Sequence, residues 1–320
     1  MNIEFHYYIT YILARKAGLS AGDSAVIAYA SQYTDDNTYH YCVNFAKRNQ
    51  YLTPITQTMD ITKPTEKRRA IYPLFHFFPG GPASSTAQRK DGKTNTFNTT
   101  PGSENARQMF DNALRSKNLY RIGIATHVFA DTWAHQNFCG LKDRFNAISS
   151  ASGIFTPNIG HADAGHNPDL VCHRWTDTRL IDEYEEIDNN QRFLEAAGRI
   201  YEQFRRYIDP QVSSQNLDGE WSALSAELKN AMNKQSPEKP LFDTHQKTRI
   251  KAYQDICRDM PEYDKDKWRH DALRKDATEL DIFDRYWGKD DFFDTPWYRF
   301  QEAAKEHHDV SMGILDPLFP

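Results

Sequence analysis

Cysteine is scarce in this sequence, and its four cysteines are scattered along the chain: Cys42, Cys139, Cys172 and Cys257. No Cys-x-x-Cys pair occurs, which argues against a cysteine-ligated zinc knuckle and against a dense disulfide framework. No apolar run approaches 18 residues, so we expect no transmembrane helix. Residues 1–20 lack a basic segment followed by an apolar one. We therefore expect no secretory signal and a cytoplasmic protein, although a leaderless export route leaves no such trace.

A strong charge of either sign is also missing. The net charge of the 320 residues is −5 and the pI is near 6.2, which argues against a general nucleic-acid coat and a stable nucleic-acid complex. A small anionic substrate in a metal site stays compatible with this charge. Apolar residues make up 39% and aromatic residues 13% of the chain, which is enough for a large core.

Strand-like alternation of apolar and polar residues never persists for more than a few residues, so the sequence predicts an all-α fold. Helical periodicity or capping signals predict helices over residues 5–18, 20–36, 105–118, 119–138, 178–208, 219–233, 243–259 and 265–285. We expect a metal-site helical core over residues 1–175. Residues 176–320 should form a helical C-terminal part that packs on this core or continues it in one domain.

Two stretches interrupt the helical pattern. Residues 83–104 follow a Pro-Gly-Gly-Pro turn and are rich in Gly, Ser, Thr and Asn, which is typical of a long mobile loop. Residues 152–170 are punctuated by Gly and Pro and predict an irregular segment.

The stretch HVFADTWAHQNF, residues 127–138, places His127, Asp131 and His135 four residues apart. In a helix these three positions span only about 80° of arc and form one ridge. Zinc binds His nitrogen and carboxylate oxygen, and a carboxylate can also bridge two metals. Burying these three groups without a metal would be costly. The ridge therefore indicates a metal site with more than one ion.

Other potential ligands lie earlier in the chain, where eight of the twelve histidines fall within residues 1–173. His6 lies on the first predicted helix. Asp35 and Asp36 end the second, where they could bind metal or act as a general base, or simply shape a turn. His76 lies in the aromatic stretch LFHFFPG, where a polar ring needs a partner such as a metal.

The segment GHADAGHNPD crowds further potential ligands on a glycine-rich loop. We expect at least one metal ligand among His161, Asp163 and His166. The remaining histidines are interpreted as mainly structural: His40, His173, His245, His270, His307 and His308.

The order of these residues resembles the zinc-dependent phospholipase C family, which shares its helical fold with the fungal single-strand-specific nucleases. That family carries an early His, an Asp after the second helix, a His beside aromatics, a helix reading G-x-x-x-H-x-x-x-D with a further His, and a final loop with His and an acidic residue. The matching positions here are His6, Asp35 or Asp36, His76, Gly123, His127, Asp131, His135 and His161. The resemblance covers residues 1 to about 170, and only residues 123–135 are locally specific.

The resemblance implies a phospholipase C-like multi-helix bundle with a helical C-terminal extension. It also implies a zinc-dependent hydrolase, with about two Zn²⁺ ions and a bridging Asp131, that cleaves a phosphodiester or phospholipid. Three departures stand out. The chain begins Met1-Asn2-Ile3, so the family's N-terminal tryptophan amine is expected to be absent and a third ion is in doubt. Position 165 is Gly where the family has Glu, so Asp163, His166 or Asp169 must substitute. The expected secretion signal is missing.

Two alternatives stay open. An HD-type phosphohydrolase needs a His-Asp doublet, and the chain has His270-Asp271 and His308-Asp309. A non-catalytic helical effector or partner-binding protein with a relict metal site is the other. The sequence decides neither the substrate, which could be lipid, nucleotide or nucleic acid, nor the oligomeric state.

Overall fold

Helices form most of the described part of the chain. The computed structural model describes residues 1–46, 49–58, 71–81, 88–148, 158–234, 245–275 and 286–318. A π-helical turn, Glu4–Ile9, leads directly into the first α-helix. The α-helices are α1 Thr10–Ala17, α2 Ala21–Asp36, α3 Tyr72–Phe75, α4 Glu104–Ser116, α5 Leu119–Ala134, α6 Asn189–Ile208, α7 Ser214–Met232, α8 Gln246–Ile256, α9 Lys267–Ala272 and α10 Pro296–Leu315.

Local capping explains where the helices of the site begin. The Ser20 side chain accepts a hydrogen bond from the backbone N–H of Asp23 and starts α2. The Asn118 side chain accepts from the first backbone N–H groups of α5. The start of each helix therefore agrees with its predicted start within one residue. Helix α5 ends at Ala134, four residues earlier than predicted.

The described residues contain six short strands as well as the helices, so the fold is mixed α/β and the all-α prediction is wrong. The strands are β1 Cys42–Asn44, β2 Gln50–Leu52, β3 Arg174–Thr176, β4 Glu186–Asp188, β5 Leu273–Lys275 and β6 Tyr286–Gly288. They form a four-stranded sheet in the order β2-β1-β6-β5 and the two-stranded sheet β3-β4. Strands of three residues are too short to show a period of two, so periodicity could not reveal them.

Long-range pairing builds the larger sheet. Val43 pairs with Tyr51 in an antiparallel ladder and with Tyr286 in a parallel one. Strand β6 therefore pairs with strand β1, which lies more than 200 residues earlier in the chain. A local sequence window carries no information about such pairing, which is why the sheet was missed.

The second half of the chain departs most from the predicted helices. Helix α6 begins at Asn189 rather than at 178, because the preceding residues form β3 and β4. The helix predicted over 265–285 is the short α9 followed by β5, and residues 276–285 lie outside the described residues. Helix α10 was not predicted.

Helix α5 lies at the centre of the structure. All of its residues from Arg121 to Ala134 are buried, and it packs against α2, α4, α6 and α10. One main hydrophobic cluster includes residues of both halves of the chain, from Phe5 to Leu315. The ridge on α5 is therefore a buried polar feature inside an apolar core. Within the described residues, no helix combines the length and apolarity that crossing a membrane requires.

The segment expected as a mobile loop is anchored where the structure describes it, over residues 88–104. Arg89, Asn98 and Thr99 are buried, and the Arg89 guanidinium donates to the Phe145 carbonyl at 2.8 Å. The segment is a loop up to Ser103, as predicted, but polar side chains in it have buried partners that composition does not reveal. Residues 83–87 of this prediction lie outside the described residues.

Candidate metal centre

Helix α5 carries the ridge predicted from the sequence. His127 and Asp131 lie on the helix, and His135 follows directly at its C-terminal end, with its backbone N–H donating to the Asp131 carbonyl at 2.8 Å. All three residues are at most 4% exposed. The three side chains therefore still form one ridge although the helix ends at Ala134, because His135 makes the last helical hydrogen bond.

A first ligand group brings Asp35, His76 and His127 together. The His76 Nδ1 atom lies 3.1 Å from His127 Nε2. Asp35 Oδ1 lies 3.7 Å from the His76 nitrogen and 3.8 Å from the His127 nitrogen. Asp131 Oδ2 approaches the same two nitrogens, at 3.5 and 3.2 Å. Two carboxylates and two imidazoles thus surround one point between α2, α3 and α5.

A second group consists of His135, His161 and Asp169. His135 Nε2 lies 3.0 Å from Asp169 Oδ1, and His161 Nε2 lies 3.3 Å from Asp169 Oδ2. The Phe77 ring stacks on His135 with ring centroids 4.5 Å apart, which holds that imidazole in place. Of the three residues considered as substitutes for the family's Glu, the structure thus brings Asp169 to the centre.

A third group contains His6, His127 and Asp131. The His6 ring stacks on His127 at a centroid distance of 3.8 Å, and its Nε2 lies 3.3 Å from Asp131 Oδ1. The α-amino nitrogen of Met1 lies 2.5 Å from the same oxygen and 3.2 Å from Asp169 Oδ1. Sequence reasoning missed Met1 because it required a tryptophan, whereas an amine ligand needs only the α-amino group.

The backbone fixes the orientation of four imidazoles. His76 Nε2 lies 2.9 Å from the Thr56 carbonyl oxygen, and His127 Nδ1 lies 2.9 Å from that of Ser31. In each ring one N–H therefore donates to a carbonyl, and the other nitrogen presents its lone pair to the cluster. The remaining two rings follow the same rule: His135 Nδ1 with the His76 carbonyl at 2.8 Å and His161 Nδ1 with the Gly165 carbonyl at 2.8 Å.

Burial and neighbouring charges shift the pKa values of this cluster. Burial alone would raise the pKa of Asp131, but His135 and the Met1 amine outweigh it and hold this pKa well below its ordinary value. Burial likewise opposes the low pKa of Asp169, which His161 and the Met1 amine impose. Burial, reinforced by His127, lowers the pKa of His6 to about 4. At neutral pH Asp131 and Asp169 are therefore ionised and His6 is neutral, the forms that bind metal.

The cluster is open on one side. Asp35, Asp169 and His161 are 27%, 18% and 20% exposed, whereas the side chains of His6 and Asp131 are at most 1% exposed. The ligand cluster therefore reaches solvent through Asp35, His161 and Asp169.

Three sequence-predicted residues do not join the centre. Asp36 accepts hydrogen bonds from Tyr263 at 2.6 Å and Gln32 at 3.2 Å, on another face of α2 from Asp35. Asp163 accepts from the backbone N–H of Ile148 at 2.7 Å, and His166 is exposed. Within the described residues, none of the three belongs to a ligand group.

The two His-Asp doublets lie at the surface. His270 and Asp271 are exposed, and Asp271 pairs with Lys267 at 2.7 Å. The side chains of His308 and Asp309 are 39% and 82% exposed. In the part of the chain that the structure describes, neither doublet contributes to a ligand group, so the geometry does not favour an HD-type site.

The arrangement of nitrogen and oxygen atoms in these groups fits bound metal ions. The nitrogens of His76 and His127 that face each other both present lone pairs, and two carboxylates face the same point. Such groups repel one another unless a cation lies between them. Among the described residues, both ring nitrogens of His6 and Asp131 Oδ2 are also buried without a hydrogen-bond partner. Imidazole nitrogen and carboxylate oxygen are the ligands that zinc accepts in catalytic sites.

Comparison with known proteins gives a family but no activity. A family model described as "Family of unknown function (DUF6765)" matches residues 1–315. Neither a curated protein nor a solved structure matches the chain.

Proposed function

This chain belongs to the DUF6765 family of unknown function, and from its ligand cluster we propose that it is a metal-dependent hydrolase that cleaves a phosphodiester. The observation that carries the proposal is the 3.1 Å approach of His76 Nδ1 to His127 Nε2, with both N–H groups turned away to backbone carbonyls. An apolar core gains nothing from such an arrangement, whereas a divalent cation needs it.

Three ion positions follow from the three ligand groups. The first takes Asp35, His76, His127 and Asp131 Oδ2, and the second takes His135, His161 and Asp169. The third takes His6, Asp131 Oδ1 and, in a chain with a free α-amino group at Met1, that amine. Because each oxygen of Asp131 faces a different group, this carboxylate would bridge the first and third positions. Zinc is the ion that this nitrogen and oxygen set suits best.

The charge of the cluster favours an anionic substrate. Three divalent ions carry six positive charges, and Asp35, Asp131 and Asp169 supply three negative ones. The remaining positive charge would stabilise a phosphoryl group, and bound ions also generate hydroxide near neutral pH. Asp35 is the most exposed carboxylate of the centre at 27%, so it is placed to orient the attacking water as well as to bind metal.

The resemblance in ligand order supports a phosphodiester over other anions. His6, Asp35, His76, the α5 ridge and His161 follow one another as they do in zinc-dependent phospholipases C and their nuclease relatives. Lipids, nucleotides and single-stranded nucleic acids all present a phosphodiester, and the geometry does not choose among them.

Hydrolysis of a chromogenic phosphodiester by the purified protein tests this proposal. We expect activity with Zn²⁺, loss of activity with a chelator and recovery on adding the metal back. The matching phosphomonoester, phosphatidylcholine vesicles and single-stranded DNA should then be compared as substrates. If the protein binds zinc but hydrolyses none of these substrates, it is a metal-binding protein without this activity, and the proposal is withdrawn.

A further inference from the structure

The N-terminal segment brings two groups to the centre at once. The Met1 amine and His6 Nε2 both contact Asp131 Oδ1, at 2.5 and 3.3 Å. Both belong to the π-helical turn Glu4–Ile9 or to the residues just before it. The rotation of this turn about its axis therefore decides whether either group reaches Asp131.

The other face of the same turn is held by helix α8. Glu4 is two residues before His6, and residues two apart in a helical turn lie on nearly opposite sides of it, so the two side chains face different directions. Glu4 receives two hydrogen bonds of 2.8 Å from the Arg249 guanidinium and one of 3.2 Å from the Tyr253 hydroxyl. Glu4 and Arg249 are both fully buried. Within the described residues, the Glu4 carboxylate contacts Arg249, Tyr253 and Asn2, none of which is a candidate metal ligand.

The contacts of this face continue along α1. The Tyr7 hydroxyl donates to the Pro261 carbonyl at 2.9 Å, and the Tyr11 hydroxyl donates to that of Asp259 at 3.1 Å. On the other side, Asn2 approaches Glu4 Oε1 at 3.4 Å and links the pair to the residue beside Met1. A bidentate pair fixes an angle as well as a distance, which a purely apolar contact does not.

We propose that the Glu4–Arg249–Tyr253 cluster is a positioning device that sets the rotation of the N-terminal turn and so completes the third ion position. This inference rests on the proposed metal centre. It gives helix α8, which contributes no ligand in the groups described, a defined role in that centre. Partners of metal ligands typically change metal affinity by about tenfold to a hundredfold when they are replaced.

The test compares zinc titrations of the full chain and its variants. Glu4→Gln/Arg249→Met removes both charges of this pair together, and the Gln side chain still accepts from Tyr253. We expect the third ion to bind about tenfold to a hundredfold more weakly, with the affinities of the other two unchanged. Arg205→Met, which breaks a bidentate Arg205–Glu220 pair between α6 and α7, is the matched control and should keep all three affinities.

Arg249→Lys keeps the buried charge but not the bidentate geometry. It is the variant to test if the double variant does not fold. It should weaken the third ion by about tenfold. An unchanged third affinity in either folded variant would overturn the inference and leave the proposed function standing. A wild-type chain that binds no zinc would instead remove the proposed function and this inference together.

Discussion

A Cβ atom on Gly123 would lie 2.5 Å from the carbonyl oxygen of Ile27 and 2.6 Å from the Ala30 Cβ. Helices α2 and α5 therefore touch through their backbones at this point. The contact lies one turn before His127 on α5 and two turns before Asp35 on α2. The close approach of the helices brings these two side chains, and the Ser31 carbonyl that orients His127, into the first ligand group.

Replacing Gly123 by Ala should push α2 away from α5. Because the neighbouring atoms are backbone atoms of α2 and the Cβ of Ala30, none of which can move unless the helix moves, we expect a loss of about 1–3 kcal/mol in the free energy of unfolding. Zinc at the first position should weaken more than zinc at the second, whose ligands do not lie on α2. Urea denaturation and zinc titration measure the two effects. Gly219→Ala, in the interior of α7 where a Cβ would contact nothing within 4 Å, is the control. It should leave zinc binding unchanged and should raise the free energy of unfolding by about 0.5–1 kcal/mol, the opposite sign to Gly123→Ala.

Asp131→Asn keeps the shape of the side chain but removes the charge that faces two ion positions. It should therefore release more zinc and lose more phosphodiesterase activity than His161→Ala or His6→Ala, each of which affects one position. Elemental analysis, circular dichroism and hydrolysis of the chromogenic diester make the comparison, with the exposed His308→Ala as control. If Asp131→Asn retained full metal and activity, the ridge on α5 would be structural.

Metal binding at the third position should release a proton from Met1. Burial opposes the charged amine, but Asp131 and Asp169 outweigh it and raise the pKa of the amine to about 10. Below that pH a metal must displace the proton, so the affinity for the third ion should rise about tenfold per pH unit between pH 7 and 9. Calorimetry in buffers of different ionisation enthalpy measures the proton.

An N-terminal Gly-Ser extension supplies the control for that experiment. It moves the α-amino group away from Asp131, so both the released proton and the pH dependence of the third ion should disappear. Mass spectrometry should first establish that the chain under test begins with a free amine at Met1. The same pH dependence with and without the extension would exclude the amine as a ligand.

His307 should make the fold sensitive to acid independently of the metal. It is fully buried beside the Leu74 carbonyl and Ser311, and burial lowers its pKa from 6.5 to about 3. Below pH 6.5 the unfolded chain binds a proton that the folded chain does not. The free energy of unfolding should therefore fall towards pH 3, by up to about 1.4 kcal/mol per pH unit from this group.

His307→Gln removes this titration, so its unfolding free energy should fall less steeply with acid than that of the wild type. Denaturation at a series of pH values between 7 and 4 gives both slopes. Slopes are compared rather than absolute stabilities, because Gln also changes packing. Identical slopes would show that His307 is not the group that titrates.

The α5 ridge could be predicted because its spacing is local. One helix brings His127, Asp131 and His135 onto the same face, and a helix can be recognised from a short stretch of sequence. Asp35 and Asp36 could not be told apart in this way. Adjacent residues differ by about 100° in direction, and the contact that takes Asp36 away from the centre comes from Tyr263, 227 residues later.

The features that the sequence did not predict also depend on residues far apart in the chain. The strands β1 and β6 pair across more than 240 residues, and the Met1 amine reaches a carboxylate 130 residues away. Asp169 rather than Asp163 joins the second group because of how an irregular loop folds back, which its Gly and Pro content does not specify. Residue type and order therefore predicted most members of the candidate ligand groups, and tertiary contacts selected among neighbouring residues.

Zinc content tests the central claim most directly. The wild-type chain with a free α-amino group at Met1, purified without chelator, supplied with Zn²⁺ and freed of excess metal, should contain close to three zinc ions per chain by elemental analysis. The sequence alone had suggested about two, and the difference is the position formed by His6, Asp131 and the Met1 amine. A chain that retains no transition metal in stoichiometric amount would contradict the metal centre and the hydrolase function proposed from it.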